Sequence, residues 1–166
     1  MQFGLIRRLG TIAALAVLLA AHGYCPAQSR ENAAPPESAF SISRAQLLQP
    51  EELNRLLQSK SAVKPLLLQV GSHVLYAESH IPGSEYIGPG SQPAGLQQLQ
   101  HRVASLPRET FIVLYCGCCP WYHCPNMGPA YKQLRDLGFT NVKALYLAHN
   151  FGEDWVNMGY PVERGR

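Results

Sequence analysis

Apolar residues along this 166-residue chain gather in two kinds of run that alternate. Short continuous runs read as buried strands: Leu66-Leu67-Leu68-Gln69-Val70, ended by Gly71, then Phe111-Ile112-Val113-Leu114-Tyr115, then Val142 to Leu147. Ile42 to Leu48 is a further short candidate and Tyr86-Ile87 a very short one. Between these runs the apolar positions recur at helical spacing. Leu53, Leu56 and Leu57 share a face after Pro50, which suits a first helical turn, and Glu51 and Glu52 suit its dipole. Leu96, Leu99, Val103 and Leu106 mark a helix ending at Pro107. Met127, Ala130, Tyr131, Leu134 and Leu137 mark another, stopped by Gly138. Strands alternating with helices predict an α/β fold, with a central parallel sheet of about five strands and helices on both faces.

The first residues follow a different pattern. Arg7 and Arg8 precede an apolar stretch, Thr11 to Ala21, with small residues after it. That is the arrangement of a secretory signal peptide, and the stretch falls short of the roughly 20 residues a spanning helix needs. Cleavage can follow Ala27 or Gly23, and Tyr24 is too large for the lipobox that Cys25 would otherwise suggest. The reading is a signal peptide over 1–27, a Pro- and Ser-containing flexible leader over 28–40, and one domain over 41–166. Export to the periplasm or medium is the expectation, with a retained membrane anchor as the alternative. Without Arg7 and Arg8 the basic count falls from 14 to 12, against 11 acidic residues. A nearly neutral chain argues against nucleic acid or an anionic membrane surface, so no nucleic acid and, after signal cleavage, no membrane is expected as partner.

Chemistry concentrates in one place. Cys116, Cys118, Cys119 and Cys124 lie between the strand ending at Tyr115 and the helix beginning near Met127. Open α/β sheets place reactive groups at that end of the strands. Backbone N–H groups and the helix amino end favour an anion there, so the expectation is a Cys116 thiol of lowered pKa that reacts first. Cys118, Cys119 and Cys124 would be resolving or disulfide partners, or close a structural staple with no catalysis. A soft-metal site is the third reading, with Cys116, Cys118, Cys119, Cys124 and His123 offered to Cu(I) or Zn. A second CxxC is absent, so the pattern is not that of a zinc ribbon.

Several segments together resemble the rhodanese-like sulfurtransferase family. Leu66-Leu67-Leu68-Gln69-Val70 is similar to the strand that usually continues into Asp-Val-Arg. His80-Ile81-Pro82-Gly83-Ser84 resembles the Gly-His-Ile-Pro-Gly-Ala signature, and Val113-Leu114-Tyr115-Cys116 the strand ending in the active-site cysteine. Leu137-Gly138-Phe139-Thr140-Asn141-Val142 and Trp155-Val156-Asn157-Met158-Gly159-Tyr160-Pro161-Val162 are similar to the family's closing motifs. The resemblance implies a single rhodanese-like domain in which Cys116 accepts a sulfane sulfur as a persulfide and passes it to an acceptor. It implies no cofactor. Its partners would be a small sulfur donor or thiol acceptor, or a partner protein at the cysteine loop. The rival reading is a noncatalytic exported binding module.

The chain departs from the family pattern at the site. The cysteine loop is about five residues longer, and no Arg or Lys lies between Cys116 and Lys132, which leaves His123 as the only potential cation. Thiosulfate:cyanide-type activity is therefore disfavoured. Gln69-Val70-Gly71 replaces Asp-Val-Arg, and His149-Asn150 or Asn150-Phe151 replaces Gly-Gly before the last helix. His149 would then face Cys116 as a base or ligand, or sit as a surface-loop residue. Trp155 reads as a core aromatic on the last helix and His80 as a hydrogen-bonded structural residue. Pro120-Trp121-Tyr122 reads either as a docking patch or as the loop's own small core.

Overall fold

Four-residue apolar runs can be buried on both faces only in the middle of a covered sheet, and the chain places them there. In this computed structural model residues 42–60 and 63–165 are described. The expected signal peptide and leader lie outside the described residues. Five strands, β1 (Leu47–Leu48), β2 (Leu66–Gln69), β3 (Glu85–Tyr86), β4 (Ile112–Tyr115) and β5 (Val142–Leu145), form one sheet in the order β1-β5-β4-β2-β3. Every pairing is parallel, with Leu68 opposite Leu114 and Leu114 opposite Ala144 at the centre.

Alternation along β4 divides the core in two. Ile112 and Leu114 face α3 (Pro93–Val103) and α4 (Met127–Asp136), where they meet Leu99, Val103, Ala130 and Leu134. Val113 and Tyr115 face the other way, toward Leu53 of α1 (Pro50–Gln58) and toward Phe151 and Trp155. Helical cover on both faces is what an all-parallel sheet requires. Trp155 is fully buried and donates its indole N–H to the Pro161 carbonyl at 2.8 Å. His80 is buried, stacked on Tyr76 at 3.9 Å, with Nδ1 2.8 Å from the Tyr76 carbonyl oxygen, which is a structural role.

Three elements differ from expectation. Ile42 to Leu48 is a strand only at Leu47–Leu48, preceded by a 3-10 turn over Arg44–Gln46. This edge segment pairs with β5 alone, through two residues, so nothing extends the ladder backward. A helix absent from the sequence reading, α2 (His73–Glu78), follows β2. It buries only Tyr76 and leaves Val74 and Leu75 exposed, so it has no apolar periodicity to read. The last helix is a single π-type turn, Gly152–Val156. Among the described residues, no helix is long and apolar enough to cross a membrane.

Candidate functional site

Cys116 continues the β4 alternation by one residue, so its side chain joins Ile112 and Leu114 on the α4 side, where it is 4% exposed. Gly117 then turns the chain at φ +74°. A Cβ there would sit 2.5 Å from the Phe151 Cβ, and the Phe151 N–H donates to the Gly117 carbonyl at 3.1 Å. The turn and the segment before the last helix are thus locked together. Farther along the loop, Trp121 is buried, its N–H donating to the Ala148 carbonyl and its ring 5.4 Å from that of Tyr146. It forms the loop's own core, and Tyr122 stays exposed.

Among the described residues, Cys116, Cys118, Cys119 and Cys124 are free thiols. Cys116 Sγ donates to Cys118 Sγ at 3.2 Å, and Cys118 and Cys119 sulfurs lie 3.1 Å apart. The sulfurs of Cys116, Cys118 and Cys124 all fall within 4.8 Å of one another. His123 is exposed and Cys119 half-buried, and neither belongs to that trio.

Two amide side chains, both missed by sequence reasoning, fix the cluster. Asn126 is the residue before α4, but its side chain does not cap that helix. Its Oδ1 accepts from the Ser91 N–H at 3.1 Å and the Ser91 hydroxyl at 2.8 Å. The Nδ2 is thereby aimed at sulfur, donating to Cys116 at 3.3 Å and, more weakly, to Cys118 at 3.8 Å. Gln69, at the end of β2, donates Nε2 to the Cys116 carbonyl at 3.2 Å and accepts from the Gly71 N–H at 3.0 Å. A Cβ at Gly71 would lie 2.8 Å from Cys116 Sγ, so glycine there makes room for the sulfur. The uncharged Gln69-Val70-Gly71 is a rebuilt wall of the site, and both amides are fully hydrogen-bonded.

The electrostatics differ from the expected lowered pKa at Cys116. Hydrogen bonding with Cys118 and Cys124, together with burial, holds the Cys116 proton and pushes its pKa far up. Cys118 moves the opposite way, because it accepts from Cys116 and then from Cys124, with Cys119 and Asn126 adding to this. Cys119 is pushed up to about 12, by burial first and then by Cys118. Cys124 is lowered by its bond with Cys116, but Cys118 and burial outweigh this and raise it overall. The first negative charge of the reduced cluster therefore sits on Cys118, the less buried neighbour. A helix end alone favours charge on Cys116; burial and the three other sulfurs outweigh it.

A cavity of about 300 Å³ opens onto this pair. Cys116, Cys118, Gln69, Tyr115 and Phe151 line it; among the described residues Glu78 is its one charged wall residue, and no lysine or arginine borders it. His149 does not face Cys116. It is exposed, with Nδ1 3.0 Å from Asp154 Oδ1, and this hydrogen bond raises its pKa above the ordinary histidine value.

The rhodanese-like domain model matches residues 49–147. No curated protein matches the sequence significantly. Among solved structures, the rhodanese-like domain of a protein from Anabaena sp is similar with a TM-score of 0.54 and 22% identity, over 72% of this chain and 79% of that one. A protein from Bacillus halodurans is similar with a TM-score of 0.54 and 24% identity, over 70% of this chain and 75% of that one. A thiosulfate sulfurtransferase from Pseudomonas aeruginosa is similar with a TM-score of 0.53 and 21% identity, over 72% of this chain but 20% of that one. The family model spans more than half of the sequence, from just before α1 to just past β5, and the chain belongs to the rhodanese-like domain family.

Proposed function

We propose that this protein carries sulfane sulfur or reducing equivalents on the Cys116–Cys118 pair. The observation that carries the reading is two free thiols with sulfurs 3.2 Å apart at the mouth of a cavity of about 300 Å³. A thiolate of the pair attacks the outer sulfur of a donor, a new S–S bond forms, the donor's S–S bond breaks, and the donor leaves as a thiolate. For the attacking sulfur to be Cys116, as the family's chemistry suggests, its proton passes to the Cys118 thiolate along their hydrogen bond; the persulfide then resides on Cys116 and its outer sulfur moves to a thiol acceptor. Alternatively the neighbouring thiol attacks the persulfide, closing a Cys116–Cys118 disulfide and releasing sulfide, and an external thiol reopens it.

A wall that carries Glu78 and, among the described residues, no lysine or arginine disfavours the thiosulfate dianion relative to a donor of lower charge, such as a small persulfide or a protein persulfide. Arg7, Arg8 and the apolar stretch after them support an activity outside the cytoplasm in the same reading, to be checked by amino-terminal sequencing of the mature protein. The direct experiment is intact-mass measurement of the reduced, metal-free chain after exposure to a persulfide donor. One added sulfur atom per chain, lost in Cys116→Ser, is the expected result. A folded protein that never gains sulfur defeats the proposal.

A further inference from the structure

The three sulfurs of Cys116, Cys118 and Cys124 pose a problem that sulfur transfer does not resolve. Transfer needs one thiol, or two with a resolving partner, and Cys124 is buried behind the pair with no place in either step. The family's usual answer to sulfur anions is a cationic loop, and none of residues 116–131 is Lys or Arg. We infer that the trio is a binding site for a single soft monovalent cation, Cu(I), held by the sulfurs of Cys116, Cys118 and Cys124.

Donor type comes first. Three thiolates are the ligands that a soft d10 ion prefers, and among the described residues no carboxylate or imidazole joins the group. Donor number is the next criterion. Zinc in a closed site takes four ligands, whereas among the described residues three sulfurs fall within 4.8 Å of one another; Cys119 lies 3.1 Å from Cys118 but outside that trio, and His123 does not join it. Three ligands suit a trigonal Cu(I) centre.

Distance agrees as well. Metal–sulfur bonds of about 2.3 Å put three trigonal ligands about 4 Å apart. The trio's sulfurs already lie within 4.8 Å of one another, so the widest pair needs to close, and the 3.2 Å Cys116–Cys118 pair to open, by less than about 1 Å. None of the three is committed to a disulfide.

The surroundings supply what lies beyond the ligands. Asn126, 6% exposed and pinned by Ser91, donates to two of the three sulfurs, the role that outer hydrogen bonds play around metal-bound thiolates. Trp121 and Met127 pack in the same buried cluster as the three cysteines. The cavity lined by Cys116 and Cys118 gives the ion a way in. Because both uses share Cys116 and Cys118, bound Cu(I) blocks sulfur uptake. The protein would then be a copper-binding module when loaded and a sulfur carrier when empty.

The test uses the reduced full chain without oxygen, titrated with Cu(I) against the chromophoric chelator bicinchoninate. One Cu(I) per chain withheld from the chelator is expected, with X-ray absorption showing three sulfur neighbours at about 2.3 Å. Cys124→Ser and Cys118→Ser should each weaken retention at least tenfold, whereas Cys119→Ser and His123→Ala should keep it. If Cys124→Ser fails to fold by circular dichroism, the half-buried Cys118 variant decides. Asn126→Ala should weaken retention about tenfold, within the range for lost outer-shell partners. The inference rests on the site of the proposed function but fails separately, because a metal-free chain that gains one sulfur yet releases all copper to the chelator defeats only the copper site. Release of all copper to the chelator overturns it. So does tighter one-to-one binding of zinc with Cys119 as a fourth ligand.

Discussion

Asn126 and Cys116 are joined by an amide-to-sulfur hydrogen bond of 3.3 Å, and the amide is held in that orientation by Ser91, 35 residues earlier in the chain. A neutral donor so placed stabilises negative charge on sulfur without forming an ion pair. Asn126→Ala should slow persulfide formation about tenfold, which corresponds to about 1.4 kcal/mol for a lost hydrogen bond to a charged group. Asn126→Asp should be worse, because a carboxylate repels the thiolate it faces. Ser91→Ala should cost about threefold, since it frees the amide to rotate but leaves the donor in place. The rate of alkylation as a function of pH is the measurement. A purely structural Asn126 would shift the melting temperature and leave that profile unchanged.

Central strands were readable because β2, β4 and β5 are buried on both faces, so their continuous apolar runs have few other meanings. The cysteine loop and α4 were readable for the same reason: Met127, Ala130 and Leu134 keep helical spacing and are buried. What escaped lacked a local pattern. Helix α2 buries one residue, and Asn126 reads along the chain as an ordinary turn residue before a helix. Its partner Ser91 comes from another segment, so only the fold brings the two together. The one available hint was Cys124-Pro125-Asn126, a polar residue held at the entry to the helix beside a thiol. Alignment with Gly-Gly leaves His149 either facing Cys116 or on the surface, and Asp154, five residues on, holds it at the surface.

Tight approach sets the next expectation. At Gly71 an added Cβ meets Cys116 Sγ at 2.8 Å, and at Gly117 it meets the Phe151 Cβ at 2.5 Å on a backbone of φ +74°. Gly117→Ala should lower folding stability by about 2–4 kcal/mol, adding backbone strain to a steric clash. Gly71→Ala should cost less stability, about 1–2 kcal/mol, because a side-chain sulfur can shift, but it should reduce sulfur uptake strongly. Denaturant midpoints and intact mass on the same samples separate the two effects. Equal stability losses with unchanged uptake would contradict the assigned role of Gly71.

An ion pair far from the sulfurs gives a pH dependence of known sign. Arg102 of α3 binds Glu85 of β3 in bidentate fashion, at 2.5 and 2.7 Å, and holds its carboxyl below the usual glutamate range. A depressed folded-state pKa means the pair stabilises the fold fully above the ordinary value of 4.5, and this is lost as pH falls through the lower folded value. Both side chains are more than a third exposed or close to it, so solvent screening limits the contribution to about 0.5 kcal/mol. Arg102→Ala should lower the denaturant midpoint slightly at neutral pH and leave it unchanged once Glu85 is protonated. A larger loss at acid pH than at neutral pH would reverse the sign and refute the pairing.

Reactivity within the cluster follows from exposure and charge together. Cys118 is half-buried at the cavity wall and has its pKa lowered by the thiols around it, whereas Cys116 and Cys124 are buried and raised. With limiting iodoacetamide on reduced, metal-free protein, Cys118 should be modified first. Because its thiolate persists below the ordinary thiol range, that preference should grow as pH is lowered from 8 toward 6. Cys119 is half-buried too, but its thiol is raised to about 12, so it should lag at every pH in that interval. Once Cys118 is capped, its bond to Cys116 is gone, and Cys116 should lose sulfur uptake from bulky donors through blocked access. Peptide mapping gives the order directly. Cys116 reacting ahead of Cys118 across the whole range would mean that the buried sulfur, despite its neighbours, carries the charge.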